Sequence, residues 1–338
     1  MPESEQPASA DGTRRALSPM IRPGAKRRIP LPGLISLITL LVIILACLGS
    51  LPFTLSSAGS GGQPRYAEGD LSNILQAPSW IPADEQEEGA PGTDRPFTIS
   101  GTDRLGRSMD MRLLAGGGVS IVIGLAAALI SVTIGTLYGS IAGWNGGRVD
   151  AVMMRFVDIL YGLPYILLVV LLAVAGDALL AQTDLSDSAK AFLDIAILLV
   201  AIGGVSWLTM ARVIRGQVLS LRNRPFIESA RAAGLPTRRI FARHLLPNLM
   251  GPILVYATLT VPQAILQESF LSFLGIGVQP PMPSWGLLAS DGLTELNPVS
   301  FRWWLILAPC LLLATTLVCL NFLGEALREA FDPRSIRQ

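Results

Sequence analysis

The sequence predicts an all-α membrane protein with six transmembrane helices and both termini in the cytoplasm, and three observations support this fold class. The 338-residue chain is 51% hydrophobic and only 15% charged, whereas soluble domains carry about 25% charged residues. It contains six uncharged windows of about 20 residues each, long enough to cross ~30 Å of hydrocarbon at ~1.5 Å per residue. Its arginines are concentrated in two polar segments, which orients the chain.

The uncharged windows give the spans in chain order. They cover residues 33–52, 116–144, 159–176, 195–211, 245–267 and 303–324. A further uncharged run, residues 269–290, is rich in glycine and proline. This density of helix breakers predicts an irregular outer loop instead of a seventh span, with Trp285 as an anchor at the membrane interface.

The distribution of positive charge gives the orientation. Residues 1–30 carry six lysines and arginines, and residues 212–248 carry eight arginines against one acid, Glu228. Because positively charged segments stay on the cytoplasmic side, both segments are expected there. The predicted order is a disordered cytoplasmic tail (1–30), a first transmembrane helix (31–55), an external segment (56–112), a five-helix core (113–330) with a cytoplasmic loop (212–248), and a cytoplasmic tail (331–338).

The cytoplasmic loop has the pattern of a short helix, a turn and a second helix. Residues 225–233 suit a helix, Gly234 suits the left-handed turn that ends it, and Pro236 suits the start of the next segment. Small side chains in this helix–turn–helix elbow would let a partner approach closely, and Phe226 and Ile227 would anchor the elbow in a groove of that partner. Charge alone favours an alternative, a solvated loop that contacts lipid headgroups.

This loop resembles the EAA loop of the binding-protein-dependent ABC importer permeases. The family pattern has EAA, three residues, glycine, nine residues, then a hydrophobic residue and LP. Here Glu228-Ser229-Ala230, Gly234 and His244-Leu245-Leu246-Pro247 stand at the same spacing, with Ser229 and His244 as departures. Residues 101–107 (GTDRLGR) and 271–286 (LSFLGIGVQPPMPSWG) are similar to signatures of the dipeptide/oligopeptide/nickel permeases of the DppC/OppC type.

The resemblance implies the ABC type I importer permease fold in the bacterial inner membrane and ATP-driven import of di- or oligopeptides. It implies four kinds of partner: a homologous second permease subunit, two ABC ATPase subunits, an external substrate-binding protein and membrane lipid. ATP and Mg²⁺ are then expected on the ATPase subunits and no cofactor in this chain. The residues expected to couple to the ATPase are Phe226, Ile227, Glu228, Ser229, Ala230, Ala233, Gly234 and Leu235.

Other classes of function find little support in the residues. A P-loop needs a lysine after glycine, but Lys26 and Lys190 both follow alanine, so we expect no nucleotide site and no enzyme. His244 is the only histidine, which predicts no metal site. The net charge of +1 gives no reason to expect nucleic acid. The alternatives left open are an ion-gradient-driven secondary transporter or channel, and a membrane scaffold.

Three charged residues are candidates for the substrate path or outer gate. Glu268 follows 23 uncharged residues, so it either faces a central cavity, or reaches outer water or pairs with Arg302. Asp103 and Arg107 lie in the GTDRLGR signature. They either contact substrate or form a polar turn in which Asp103 caps the next segment and Gly106 bends the chain.

Overall fold

The computed structural model describes residues 31–57, 62–81, 97–180, 187–296 and 301–331. The predicted tail over residues 1–30 and residues 332–338 lie outside them. Within the described residues the chain is helical, and β pairing is limited to isolated bridges such as Gly69 with Arg107. The predicted all-α fold class is therefore confirmed.

Ten α-helices form the described structure, and five stretches in it are long and apolar enough to cross a membrane, with one bent pair of helices as a sixth. Their bounds are α1 (Leu31–Thr54), α2 (Met109–Asn145), α3 (Gly147–Tyr161), α4 (Tyr165–Leu180), α5 (Asp187–Leu221), α6 (Pro225–Ala232), α7 (Thr237–Ile240), α8 (Leu246–Phe273), α9 (Trp285–Leu293) and α10 (Trp304–Phe331). A π-helical turn, Phe241–Leu245, joins α7 to α8.

The third span differs from the prediction, because residues 159–176 do not form one straight helix. The helix α3 ends at Tyr161 and α4 begins at Tyr165, and the two axes differ by 87°. Pro164 explains the break, since proline has no amide hydrogen and disfavours helical geometry in the residue before it. The positions of charged residues alone do not predict this bend.

The helix of the fourth span continues past residue 211, the predicted end of that span, into the segment assigned to the cytoplasmic loop, residues 212–248. The helix α5 continues to Leu221. Arg215 binds Asp150 of α3 with two nitrogens, one of them 2.6 Å from Oδ2. Arg222 donates to the carbonyl oxygen of Gly143 near the end of α2, at 3.0 Å. Two arginines of the basic segment are therefore bound to the helix bundle.

The helices α2 and α5 pack along three glycines of α2 that recur every four residues. A Cβ atom on Gly139 would lie 2.2 Å from the carbonyl oxygen of Ala211, and one on Gly135 would lie 2.5 Å from the Cβ of Met210. Gly143 similarly contacts the backbone of Arg215. Small residues at this spacing let two membrane helices approach closely. The α2–α5 pair thus forms the centre of the bundle.

The uncharged run over residues 269–290 contains a buried helix, and the interface role predicted for Trp285 is wrong. Ser284 caps α9 by accepting a hydrogen bond from the amide of Leu287. The helix packs against α2, α8 and α10. The Trp285 side chain is fully buried, and its Nε1 donates to the carbonyl oxygen of Leu113 at 3.1 Å. Buried tryptophan needs such a partner.

Candidate coupling elbow and membrane groove

The first candidate site is the elbow, defined as residues 225–235. Its helix α6 ends where the amide of Ala233 donates to the carbonyl oxygen of Ser229 at 3.0 Å. Gly234 has φ +71°, and the Leu235 amide donates back to the Ala230 carbonyl at 3.2 Å. This is the glycine turn that commonly ends a helix. The turn predicted at Gly234 is confirmed.

The inner face of the elbow is attached to the end of α2. Ile227 and Ala230 are buried with Ile240 against the Trp144 ring. The Arg231 guanidinium lies 4.5 Å from the centre of the same ring, a cation–π contact. The expectation that Ile227 enters a groove of a partner is wrong, because its side chain is fully buried within this chain.

The outer face of the elbow is exposed. Phe226 is 42% exposed, so a large apolar side chain lies on the surface of the elbow. Around it lie small or short exposed residues and one acid: Glu228, Ser229, Ala232, Ala233 and Gly234. The Ser229 hydroxyl donates to the carbonyl oxygen of Pro225 within α6 at 2.9 Å. The outer face thus offers a flat, partly apolar surface with one carboxylate.

The GTDRLGR signature lies at the opposite end of the bundle, in a charged corner formed by residues 101–112 with Asp291 and Glu295. The Asp103 carboxylate accepts the amides of Leu105 and Arg107, each at 2.9 Å. It also accepts Nε of Arg107 and Nη1 of Arg112, each at 2.7 Å. Gly106 has φ +68° and completes the turn. The structure thus brings Asp103 and Arg107 together and favours the capping alternative over substrate contact.

Arg112 is the residue of this corner that sequence reasoning missed. Its side chain is 2% exposed and bridges Asp103 to Asp291 of α9, with Nη2 3.2 Å from the second carboxylate. Arg104 and Arg302 both pair with Glu295. The only sequence signal was an arginine directly before a long uncharged window. The corner ties the external segment to α2 by the buried Arg112–Asp103 pair and to α9 by the half-exposed Arg112–Asp291 pair.

Glu268 is fully buried within this chain, and its assignment to the substrate path or outer gate stays a prediction. Ser272 and Ser269 donate to its two carboxylate oxygens at 2.8 and 3.2 Å. The hydroxyls of Ser120 on α2 and Ser284 before α9 also hydrogen-bond to it. Serine donors from three segments thus satisfy the buried carboxylate. Glu268 therefore connects α2, α8 and the start of α9.

The second candidate site is a groove of about 560 Å³ between α4, α5 and α8. Its polar lining consists of uncharged side chains: Tyr161, Tyr165, Ser206, Thr209, Tyr256, Thr260, Gln263 and Gln267. The Tyr165 hydroxyl lies 2.5 Å from Oε1 of Gln267 and 2.8 Å from the Ser206 hydroxyl. One tyrosine at the start of α4 thus connects all three helices across the groove.

Two polar side chains of the groove are exposed in the middle of membrane spans. Thr209 and Gln263 are exposed, and neither makes a side-chain hydrogen bond to any residue that the structure describes. An amide or hydroxyl without a partner is costly in hydrocarbon. By contrast, the exposed residues of α1 include Leu34, Ile38 and Leu41. The groove is therefore suited to water, a solute or another protein, and α1 to lipid.

The comparisons with known proteins identify the family. Residues 135–337 match the family described as binding-protein-dependent transport system inner membrane component. The chain belongs to this family. It is 45% identical to the oligopeptide transport system permease protein OppC of Haemophilus influenzae, over 70% of this chain and 71% of that one. It is 43% identical to the dipeptide transport system permease protein DppC of Bacillus subtilis, over 69% and 68%.

A solved structure supports the fold. The MetNI methionine ABC transporter, in inward-facing conformations, matches with a TM-score of 0.50 and 18% sequence identity, covering 65% of this chain and 96% of that one. The resemblance seen in the EAA loop is confirmed by the family. The protein is a multi-pass inner-membrane transport subunit, and family membership implies association with an ATPase and a substrate-binding protein. The matched residues include both the elbow and the groove.

Proposed function

We propose that this chain is the membrane-spanning permease subunit of an ATP-driven, binding-protein-dependent importer of di- or oligopeptides. The relatives named as oligopeptide and dipeptide permeases support the substrate class. The observation that carries the coupling role is the elbow, whose inner face is fixed to α2 and whose outer face is exposed. The complete transporter has a second, homologous permease subunit, two ABC ATPases that bind ATP and Mg²⁺, and an external binding protein.

The contacts of the elbow suggest how a movement of the ATPase reaches the membrane helices. Force on the outer face passes to the end of α2 through Ile227, Ala230 and the Arg231–Trp144 contact. The close packing of α2 on α5 makes those two helices move as one body. The Arg215–Asp150 pair carries the same movement to α3.

The movement of α3 then changes the groove. The helices α3 and α4 meet at a bend of 87°, and Tyr165 at the start of α4 lies in the groove. The groove helices α4, α5 and α8 rearrange around a solute when α3 and α5 move. The elbow is on the cytoplasmic side in this scheme, and the charged corner is on the outer side, where the binding protein delivers peptide.

The test of the coupling role is Glu228→Arg in the complete transporter. The change replaces an exposed carboxylate of the outer face with a cation, while the buried residues of the inner face stay as they are. We expect ATPase binding to the membrane subunits and substrate-stimulated ATP hydrolysis to fall by about tenfold or more, since reversed charge at an interface costs over 1.4 kcal/mol.

The matched control is Gln217→Arg, which places the same cation at an exposed position of α5 outside the elbow. It should bind the ATPase as the unchanged chain does. If Glu228→Arg retains both ATPase binding and stimulated hydrolysis, the coupling role is wrong. Gradient-driven flux by this chain reconstituted alone would instead support an ion-coupled transporter.

A further inference from the structure

We infer that the groove between α4, α5 and α8 binds the backbone amides of the peptide in transit and does not read the charge of its side chains. The inference rests on the proposed function and adds the residues and the chemistry of recognition. Thr209, Gln263 and Gln267 supply the hydrogen bonds. The groove is absent from the sequence predictions because its lining residues are uncharged among the described ones.

The spacing of the polar residues matches an extended peptide. Thr260, Gln263 and Gln267 are three and four residues apart on α8, so they lie on one face of that helix. From Thr260 to Gln267 the helix rises about 10 Å, which is the length of about three extended residues. Ser206 and Thr209 are likewise three apart on α5 and line the same groove.

The hydrogen-bonding groups of the groove are complementary to a peptide backbone. A glutamine amide has both a donor and an acceptor, as a peptide unit does. The Tyr165 hydroxyl donates to Oε1 of Gln267, which leaves the Nε2 group of Gln267 to donate to a carbonyl oxygen. Gln263 keeps both its donor and its acceptor, because it has no bond to any described residue.

The lack of charge among the described lining residues determines what the groove can distinguish. The described lining has neither an acid nor a base, and Arg212, which stacks on the lining Tyr161, is paired with Asp158. Acidic and basic side chains of a peptide therefore meet no charged lining residue. A charge introduced there acts strongly, because the effective dielectric constant inside a protein is far below that of water. A single glutamate is therefore enough to make the path charge-selective.

The experiment uses the complete transporter in proteoliposomes, with peptides of equal length that are neutral, glutamate-bearing or lysine-bearing. Gln263→Leu should lower uptake of all three peptides by a similar factor, about two- to tenfold, because one backbone hydrogen bond is lost. Gln263→Glu should raise the ratio of lysine-bearing to glutamate-bearing uptake by about tenfold. The isosteric Thr209→Val should reproduce the uniform loss.

Gln217→Leu and Gln217→Glu are the matched controls, since Gln217 is an exposed glutamine of α5 outside the groove lining. Both should leave uptake and its charge ratio unchanged. The inference is overturned if the wild type imports peptide while Gln263→Leu and Gln263→Glu behave like it. It is equally overturned if Gln263→Leu prevents assembly with the second permease subunit, since the groove is then a subunit interface. If the wild-type transporter imports no peptide, the proposed function itself fails.

Discussion

The elbow and the charged corner lie at opposite ends of the bundle and use their polar residues in opposite ways. In the corner, Asp103 and Arg112 are buried and paired with each other, and Arg112 also binds Asp291 of α9. In the elbow, Glu228 and Gly234 are exposed, and the buried contacts are apolar. The corner is therefore built to hold this chain together, whereas the elbow has an attached side and a side left for a partner.

This contrast shows why charge is a poor guide to function in this chain. A buried ion in a membrane protein requires partners, so a carboxylate that persists there is surrounded by donors from its own chain. Asp103 has arginines, and Glu268 has serines. The exposed surfaces with candidate roles are the elbow and the groove, where the only charged side chains among the described residues are Glu228 and Arg231 of the elbow.

The largest effect that separates the two regions is expected from Asp103→Ala. This change removes the carboxylate that binds Arg107 and Arg112 and leaves the buried Arg112 with the half-exposed Asp291 as its only acid partner among the described residues, which costs about 3–5 kcal/mol. Glu228→Ala in the elbow removes an exposed carboxylate from the first turn of α6 and should cost less than about 1 kcal/mol. Thermal unfolding of the purified protein in detergent measures both. Equal losses in the two variants would contradict the contrast.

A smaller effect is expected from two glycines with nearly the same backbone conformation, Gly106 in the corner at φ +68° and Gly234 in the elbow at φ +71°. Alanine at Gly234 should cost about 1–2 kcal/mol from its left-handed backbone alone, because a Cβ atom there meets nothing within 4 Å. At Gly106 a Cβ atom would lie 1.8 Å from the carbonyl oxygen of Asp70, so the cost should be larger.

The same unfolding measurement compares Gly106→Ala with Gly234→Ala. Close packing around Gly106 and open space around Gly234 predict the larger drop in unfolding temperature for Gly106→Ala. If Gly234→Ala is the more destabilising, the outer face of the elbow is covered by this chain itself and is not free for a partner.

Local signals in the sequence were enough for the helices and for the elbow turn. The uncharged window at residues 33–52 lies within α1, and Gly234 with Pro236 gives the turn between α6 and α7. These features depend on neighbours within a few residues. Pro164 is also a local signal for the break between α3 and α4, but the length of an uncharged window does not reveal such a break.

Features that depend on distant residues were beyond the sequence. The continuation of α5 to Leu221 is supported by Asp150, 65 positions before its partner Arg215. Burial of Glu268 depends on serines of α2 and on the residue that caps α9. Burial of Trp285 depends on a carbonyl oxygen of α2. No periodicity or spacing in a single chain reports such pairs.

The groove could be predicted from the sequence only in part. Thr260, Gln263 and Gln267 are a local pattern on one helix face and were visible in the sequence. Their role became apparent only when α4 and α5 were seen to complete the groove. Uncharged polar residues at helical spacing inside an apolar span therefore indicate a candidate site, as charged residues do.

The most direct test of the central claim is site-specific cross-linking in the assembled transporter. The starting chain carries Cys310→Ser, which removes the exposed native thiol, and keeps Cys47 and Cys319, which are buried. A cysteine with a photoreactive label is placed in the elbow by Ala232→Cys, or in the charged corner by Leu105→Cys, both exposed positions. The account predicts that the label at position 232 cross-links to the ATPase and the label at position 105 does not. ATPase cross-links from position 105, or none from a fully labelled position 232, would contradict it.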